Sequence, residues 1–220
     1  ITNALMTAVN LVFTSLTASI GHLVSHEKKE RTYEVFKDIL FANSWMIVFC
    51  AVSLYVLFNP FITLWVGEKY TFSNLVVAVI VLNFYITHMR FPANVFKEVC
   101  GLFWNDRYKS VVESLVNLVF SLYLVKHWGI FGVLLGTTIS SIGVCFWVEP
   151  YVLYKNYFKK SLWNYFGLVI KYSIIGLGSI LIIQGISNCL TAGAFVGFMI
   201  KLFLCLLVPN TIFIVFFRKN

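Results

Sequence analysis

Residues 39–65 read ILFANSWMIVFCAVSLYVLFNPFITLW, an unbroken stretch without a single Asp, Glu, Lys or Arg. As a helix rising 1.5 Å per residue it reaches about 40 Å, enough to cross the roughly 30 Å hydrocarbon core of a bilayer with some tilt. Working outward, apolar blocks recur at residues 3–24, 74–96, 111–125, 129–154, 162–187 and 190–217. The whole 220-residue chain is 60% hydrophobic and 12% charged, against about 45–50% and about 25% in soluble domains. Too few polar residues remain to face water, so the reading is an all-α, polytopic transmembrane bundle of about seven spans.

The formal charge of +8 would suggest nucleic acid in a soluble protein. Here the basic residues fall in short loops between apolar blocks, as cytoplasmic loops require, and no nucleic-acid partner is expected. Cys50, Cys100, Cys145, Cys189 and Cys205 are far apart, form no CxxC pair and read as core packing. No charged region precedes the first block and no cleavage site follows it, so a chain truncated at its N-terminus is expected.

The fourth block is short, and charge tests whether it spans. With seven spans, Lys28, Lys29, Arg31, Lys37, Lys97, Arg107, Lys109, Lys155, Lys159, Lys160, Arg218 and Lys219 share one side, against Lys69 and Lys126 on the other. Without the fourth span the split falls from twelve against two to eight against six. The positive-inside rule therefore favours seven, with the C-terminus cytoplasmic. Trp45, Trp65, Trp104, Trp128, Trp147 and Trp163 fall near segment ends, as interfacial belts require. Pro60, Pro92, Pro150 and Pro209 predict kinked or broken helices. The connector 26–38 carries Glu27 with Arg31 and Glu34 with Lys37 at helical spacing, and so can continue as a surface helix.

Polar residues recurring on one stripe of a membrane helix mark a face turned to protein or water. Asn3, Thr7, Asn10, Thr14, Thr17 and Gly21 form one such stripe; Asn83, Thr87, Arg90, Asn94 and Lys97 form a second; Glu113, Asn117 and Ser121 a third. Three stripes suggest one shared polar cavity, although Ser, Thr and Asn also join membrane helices by hydrogen bonds. Arg90 is more demanding, since a central membrane charge costs at least about 2.5–3.5 kcal/mol. Either an anionic ligand or Glu113 is its expected partner. Lys171 and Lys201 also lie inside apolar blocks; Lys201 reads as a contact for lipid phosphate or as a lysine facing a polar gap. Gly132, Gly136 and Ser140, and separately Gly193 with Gly197, give small-residue ridges suited to close helix contact. His22 and His26 have the spacing of a zinc pair but no third ligand, so no metal and no cofactor is expected. No nucleophile elbow, phosphate loop or paired-carboxylate site occurs, and the chain reads as a carrier rather than an enzyme.

Residues 101–141, GLFWNDRYKSVVESLVNLVFSLYLVKHWGIFGVLLGTTISS, resemble the polysaccharide repeat-unit flippases of the multidrug, oligosaccharidyl-lipid and polysaccharide exporter superfamily. FITLWVGEKY at 61–70, FTSLTASIGHLVS at 13–25 and FWVEPYVLYK at 146–155 support the resemblance. It covers most of residues 1–160; residues 161–220 match only as two further hydrophobic helices. The resemblance implies a single transmembrane lobe over 1–220, the C-terminal lobe of a fourteen-helix, two-lobe exporter whose N-terminal lobe is missing. It implies a bacterial cytoplasmic (inner) membrane protein that flips polyprenyl-pyrophosphate-linked oligosaccharide for O-antigen, capsule or related polymers. Membrane lipid, the missing lobe and polysaccharide polymerase or assembly proteins are the implied partners. Arg90, Asn83, Thr87, Asn94, Asn10, Thr14, Glu113 and Asn117 then become the expected cavity residues, with Arg90 for phosphate. Two other readings compete: an ion-coupled drug or metabolite exporter switched by Glu113, and a non-transporting membrane scaffold.

Overall fold

The computed structural model describes the backbone of residues 2–188 and 193–217, with the side chains of residues 2–6, 8–10 and 12–14 outside that description. All regular structure among the described residues is helical: α1 (Thr2–His26), α2 (Lys29–Trp65), α3 (Asn74–Met89), α4 (Phe91–Val99), α5 (Lys109–Ser140), α6 (Phe146–Leu153), α7 (Trp163–Asn188) and α8 (Ala194–Phe217). Five helical stretches are long and apolar enough to cross a membrane: Lys29–Trp65, Asn74–Val99, Leu102–Phe158, Trp163–Asn188 and Ala194–Phe217. These are the lengths and composition of a multi-pass helical membrane protein.

The departures from straight helices have local causes. Pro92 carries no N–H, so the helix over 74–99 breaks at Arg90, and the carbonyl that Pro92 cannot serve, that of His88, accepts a hydrogen bond from Asn43 Nδ2 at 3.1 Å. Asn43 is fully buried. The 37-residue α2 outruns a bilayer because it absorbs the charged connector. There Arg31 pairs with Glu34 at 3.0 Å on an exposed face, rather than with Glu27. Below Trp65, Gly67 adopts φ 104° to start the turn. Asn59 then clamps the returning chain, donating to the Phe72 carbonyl at 2.8 Å and accepting its N–H at 3.1 Å.

The stretch Leu102–Phe158 is a hairpin. At Gly129 the backbone leaves helical geometry at φ 55°, ψ −134°, a region favouring glycine. The following arm then packs back along the preceding one. A Cβ on Gly132 would meet the Leu124 carbonyl oxygen at 2.2 Å, and one on Gly136 would meet Ser121 Oγ at 2.3 Å and its backbone nitrogen at 2.7 Å. The Gly132/Gly136 ridge thus permits the close helix contact its spacing implies. Gly193 does not: a Cβ there would touch nothing within 4 Å. Two π-helical turns, Ser141–Cys145 and Tyr154–Phe158, flank α6 with its internal Pro150.

The chain forms two compact units, Ile1–Asn43 with Ile86–Gly167, and Ser44–Tyr85 with Leu168–Asn220. In the first, Phe36 meets Phe96, Tyr154 and Phe158 at ring separations of 5.1, 5.9 and 5.3 Å. In the second, Phe213 stacks on Trp45 and Tyr172, and the Trp45 indole donates to Asn210 Oδ1 at 2.7 Å. Trp45 is half-buried, whereas Trp65, Trp104, Trp128, Trp147 and Trp163 are exposed. On α7 the residues Val169, Tyr172, Ser179 and Ile183 are buried, while Ile170, Ile174, Leu177 and Leu181 are exposed. An exposed stripe of large apolar side chains is the surface lipid requires.

Candidate functional site

Charge is concentrated in the first unit, around Arg90. Because Pro92 ends α3, Arg90 sits at the break with φ −81° and ψ −9°. Its Nη1 donates to Glu149 Oε1 on α6 at 2.9 Å. The same oxygen accepts from Lys109 Nζ, the first residue of α5, at 2.5 Å. Lys109 also lies 3.5 Å from Asp106 Oδ2, which pairs with Lys97 of α4 at 2.5 Å. Arg90 and Lys97 are two turns apart and share one side of the broken helix. Gly101, left-handed at φ 71°, opens the 3₁₀ turn Leu102–Asp106 that carries the chain to Asp106.

The five side chains form one line: Arg90, Glu149, Lys109, Asp106, Lys97. Their exposures are 18%, 3%, 12%, 4% and 4%. Charges this buried are tolerable only when paired, because desolvation costs several kcal/mol per ion. Three cations face two carboxylates in the line, and Glu113 acts on Arg90 electrostatically from beside it. Glu149 Oε2 is buried without a hydrogen-bond partner among the described residues, as is Asn94 Oδ1. Arg90 thus donates to Glu149, while Glu113, which sequence reasoning weighed beside an anionic ligand, acts on it electrostatically without an ion-pair contact. A lone carboxylate in an apolar block carries the same cost as Arg90, and that cost was the available signal for Glu149.

The remaining expected residues fall in three places. Glu113, Asn117 and Ser121 lie on the outgoing arm of the hairpin and meet its return arm. Ser141 Oγ donates to Glu113 Oε1 at 3.3 Å, Asn117 Nδ2 to Thr137 Oγ1 at 3.5 Å, and Ser121 Oγ to Asn117 Oδ1 at 2.9 Å. Thr87 and Asn94 flank Arg90 and are half-buried, with Asn94 Nδ2 donating to Glu98 Oε1 at 2.8 Å. Asn83 belongs to the second unit. Asn10 and Thr14 are on α1, but their side chains lie outside the described residues. Thr7 and Thr17 of the same stripe are exposed, and Gly21 approaches Val99 of α4. His22 and His26 stack with ring centroids 4.1 Å apart.

Tyrosines and lysines crowd the neighbouring surface: Lys160 lies 4.7 Å and Lys37 5.4 Å from the Tyr33 ring centre, Lys29 5.2 Å from that of Tyr157, and Lys155 5.1 Å from that of Tyr151. Arg107 stacks on Trp104 and Tyr108 at 4.5 and 4.7 Å. Such cation–aromatic pairs suit a membrane–water boundary, where amphipathic rings collect. Compared with protein-family models, with curated proteins and with solved structures, the chain matches none.

Proposed function

We propose that this chain is the C-terminal lobe of a lipid-linked oligosaccharide flippase, crossing a bacterial inner membrane seven times with its C-terminus in the cytoplasm. The observation that carries the reading is the buried line of charges ending at Arg90, a guanidinium held at a helix break inside an apolar block. The Gly129 hairpin supports counting its arms as two spans, and the exposed threonines of α1 support a polar face turned to a water-filled cavity.

In the proposed mechanism the basic boundary residues attract the lipid pyrophosphate, and a phosphate oxygen replaces Glu149 Oε1 as acceptor for Arg90 and Lys109. Charge-assisted hydrogen bonds of this kind are about twice as strong as neutral ones, and a dianion offers Arg90 and Lys109 more charge than the single carboxylate. Arg90 holds the phosphate during inversion. The sugar crosses beside the amides and hydroxyls, and the polyprenyl tail stays in hydrocarbon.

The test is surface polysaccharide in cells lacking their own repeat-unit flippase, supplied with this chain alone or with it joined to an N-terminal lobe. Restoration by the joined form alone is expected. Failure of both, with insertion and substrate compatibility verified, would sink the reading and promote the ion-coupled exporter. For that alternative, half-buried Glu113 in the hairpin is the switch, and drug resistance with normal surface polysaccharide is its signature.

A further inference from the structure

The second unit contains a cavity that the proposed mechanism does not use. It measures about 350 Å³ and is walled by α2, α7 and α8, with Asn59, Thr63, Ser187, Gly197 and Lys201 among its lining residues. Lys201 lies seven residues inside α8, about 10 Å from its first residue, and Asn59 is at a similar depth, six residues before the end of α2. A lysine at that depth requires a counter-charge or water. Glu68 is the only Asp or Glu among the described residues of its unit, and no carboxylate of the described residues lies within ion-pair distance of Lys201.

The surroundings are built to reach one anion. Side chains on a helix lean toward its N-terminus, and Lys201 shares the cavity lining with Gly197, one turn before it, and with Gly193, which bring no side chains into the space. The Ser187 hydroxyl is buried without a hydrogen-bond partner among the described residues. Thr63 adds a second hydroxyl, and the start of α8 at Ala194 lends its dipole. Asn59 contributes wall rather than donors, since its amide is committed to Phe72. Several donors around one cation suit a phosphate, with its multiple acceptor oxygens, better than a carboxylate. Exposed Phe61, Leu64, Phe195 and Val196 at the same end of the unit give apolar surface for an attached chain.

We infer that this cavity is a binding site for a phosphate group, carried by a membrane lipid whose headgroup reaches Lys201. The full chain is purified in detergent and offered phosphatidylglycerol or a neutral monoglucosyl diacylglycerol with the same acyl chains, and the retained lipid is counted by native mass spectrometry. The wild type should retain the phospholipid about tenfold better, the size of one charge-assisted contact. Lys201→Met should abolish that preference, Lys201→Arg should keep it, and Lys171→Met, on the exposed face of α7, should leave it intact. Inorganic phosphate is the second arm: displacement of the lipid by millimolar phosphate assigns the site to the free anion, and no displacement assigns it to the headgroup. Equal retention of both lipids by the wild type would overturn the site. So would an undiminished preference in Lys201→Met with unchanged helicity and elution.

Discussion

Replacing Glu149 by Gln keeps the size of the side chain and removes the one carboxylate that faces both Arg90 and Lys109. Its own exposure is 3%, and its oxygen lies 2.9 and 2.5 Å from the two cations. After the substitution Lys109 can lean on Asp106, now 3.5 Å away, but Arg90 at 18% exposure loses its ion pair. Removing one partner of a buried pair typically costs about 3–5 kcal/mol, and the fallback for Lys109 places the expectation near the lower end, about 3 kcal/mol. The exposed pair Arg31–Glu34, with side chains 61% and 57% accessible, supplies the control. Glu34→Gln should cost no more than about 1 kcal/mol. The assay is reversible unfolding in mixed detergent micelles, with Arg90→Met and the Arg90→Met/Glu149→Gln double variant completing a cycle. The double variant should be less destabilised than the sum of the singles, because no charge is then stranded at that end of the line. If Glu149→Gln unfolds at the same denaturant level as Glu34→Gln, the buried pairing is not what holds α4, α5 and α6 together.

Three further outcomes are expected. Gly136→Ala, whose Cβ would fall 2.3 Å from Ser121 Oγ and 2.7 Å from its nitrogen, should destabilise the hairpin by about 1–3 kcal/mol, while Gly143→Ala, with nothing within 4 Å, should be tolerated; unfolding in the same micelles separates them. Asn43→Leu should cost about 1–3 kcal/mol because it removes the hydrogen bond that Asn43 Nδ2 donates to the buried His88 carbonyl, and the same assay reads it. Burial pushes the Cys100 thiol up to about 11, against the pull of Lys29. In a single-cysteine variant its maleimide labelling should therefore rise about tenfold per pH unit up to that value, whereas an ordinary thiol levels off near pH 9.

Apolar periodicity made the helices legible, because a membrane helix declares itself by length and lack of charge. Pro92 announced the break at Arg90, since a missing N–H acts within its own helix. Gly132 and Gly136 announced a close contact, since only small residues permit one. The pairing of charges was harder to read. Arg90 and Glu149 are 59 positions apart, and nothing in the spacing of either names the other; their meeting depends on the hairpin at Gly129 returning the chain past α4. Glu113, which opens the next helix, does act on Arg90 electrostatically, but the hydrogen bond it accepts comes from Ser141 on the arm that returns from Gly129. The Trp45 indole likewise bonds Asn210, far along the chain, a pairing that nothing near either residue announces. Gly193 and Gly197 have the spacing of a contact ridge, and the lysine one turn beyond them makes that face the wall of a cavity.

The claim that Arg90 handles the cargo phosphate is tested most directly by translocation itself. Membrane vesicles carrying the chain joined to an N-terminal lobe are loaded with polyprenyl-pyrophosphate-linked oligosaccharide, and its appearance on the opposite face is timed for wild type, Arg90→Ala and Arg90→Ala/Glu149→Ala. With insertion verified, Arg90→Ala should slow translocation at least about tenfold, the loss of one charge-assisted contact. Removing Glu149 as well should restore stability without restoring the rate. Translocation by folded Arg90→Ala at the unmodified rate would contradict the account.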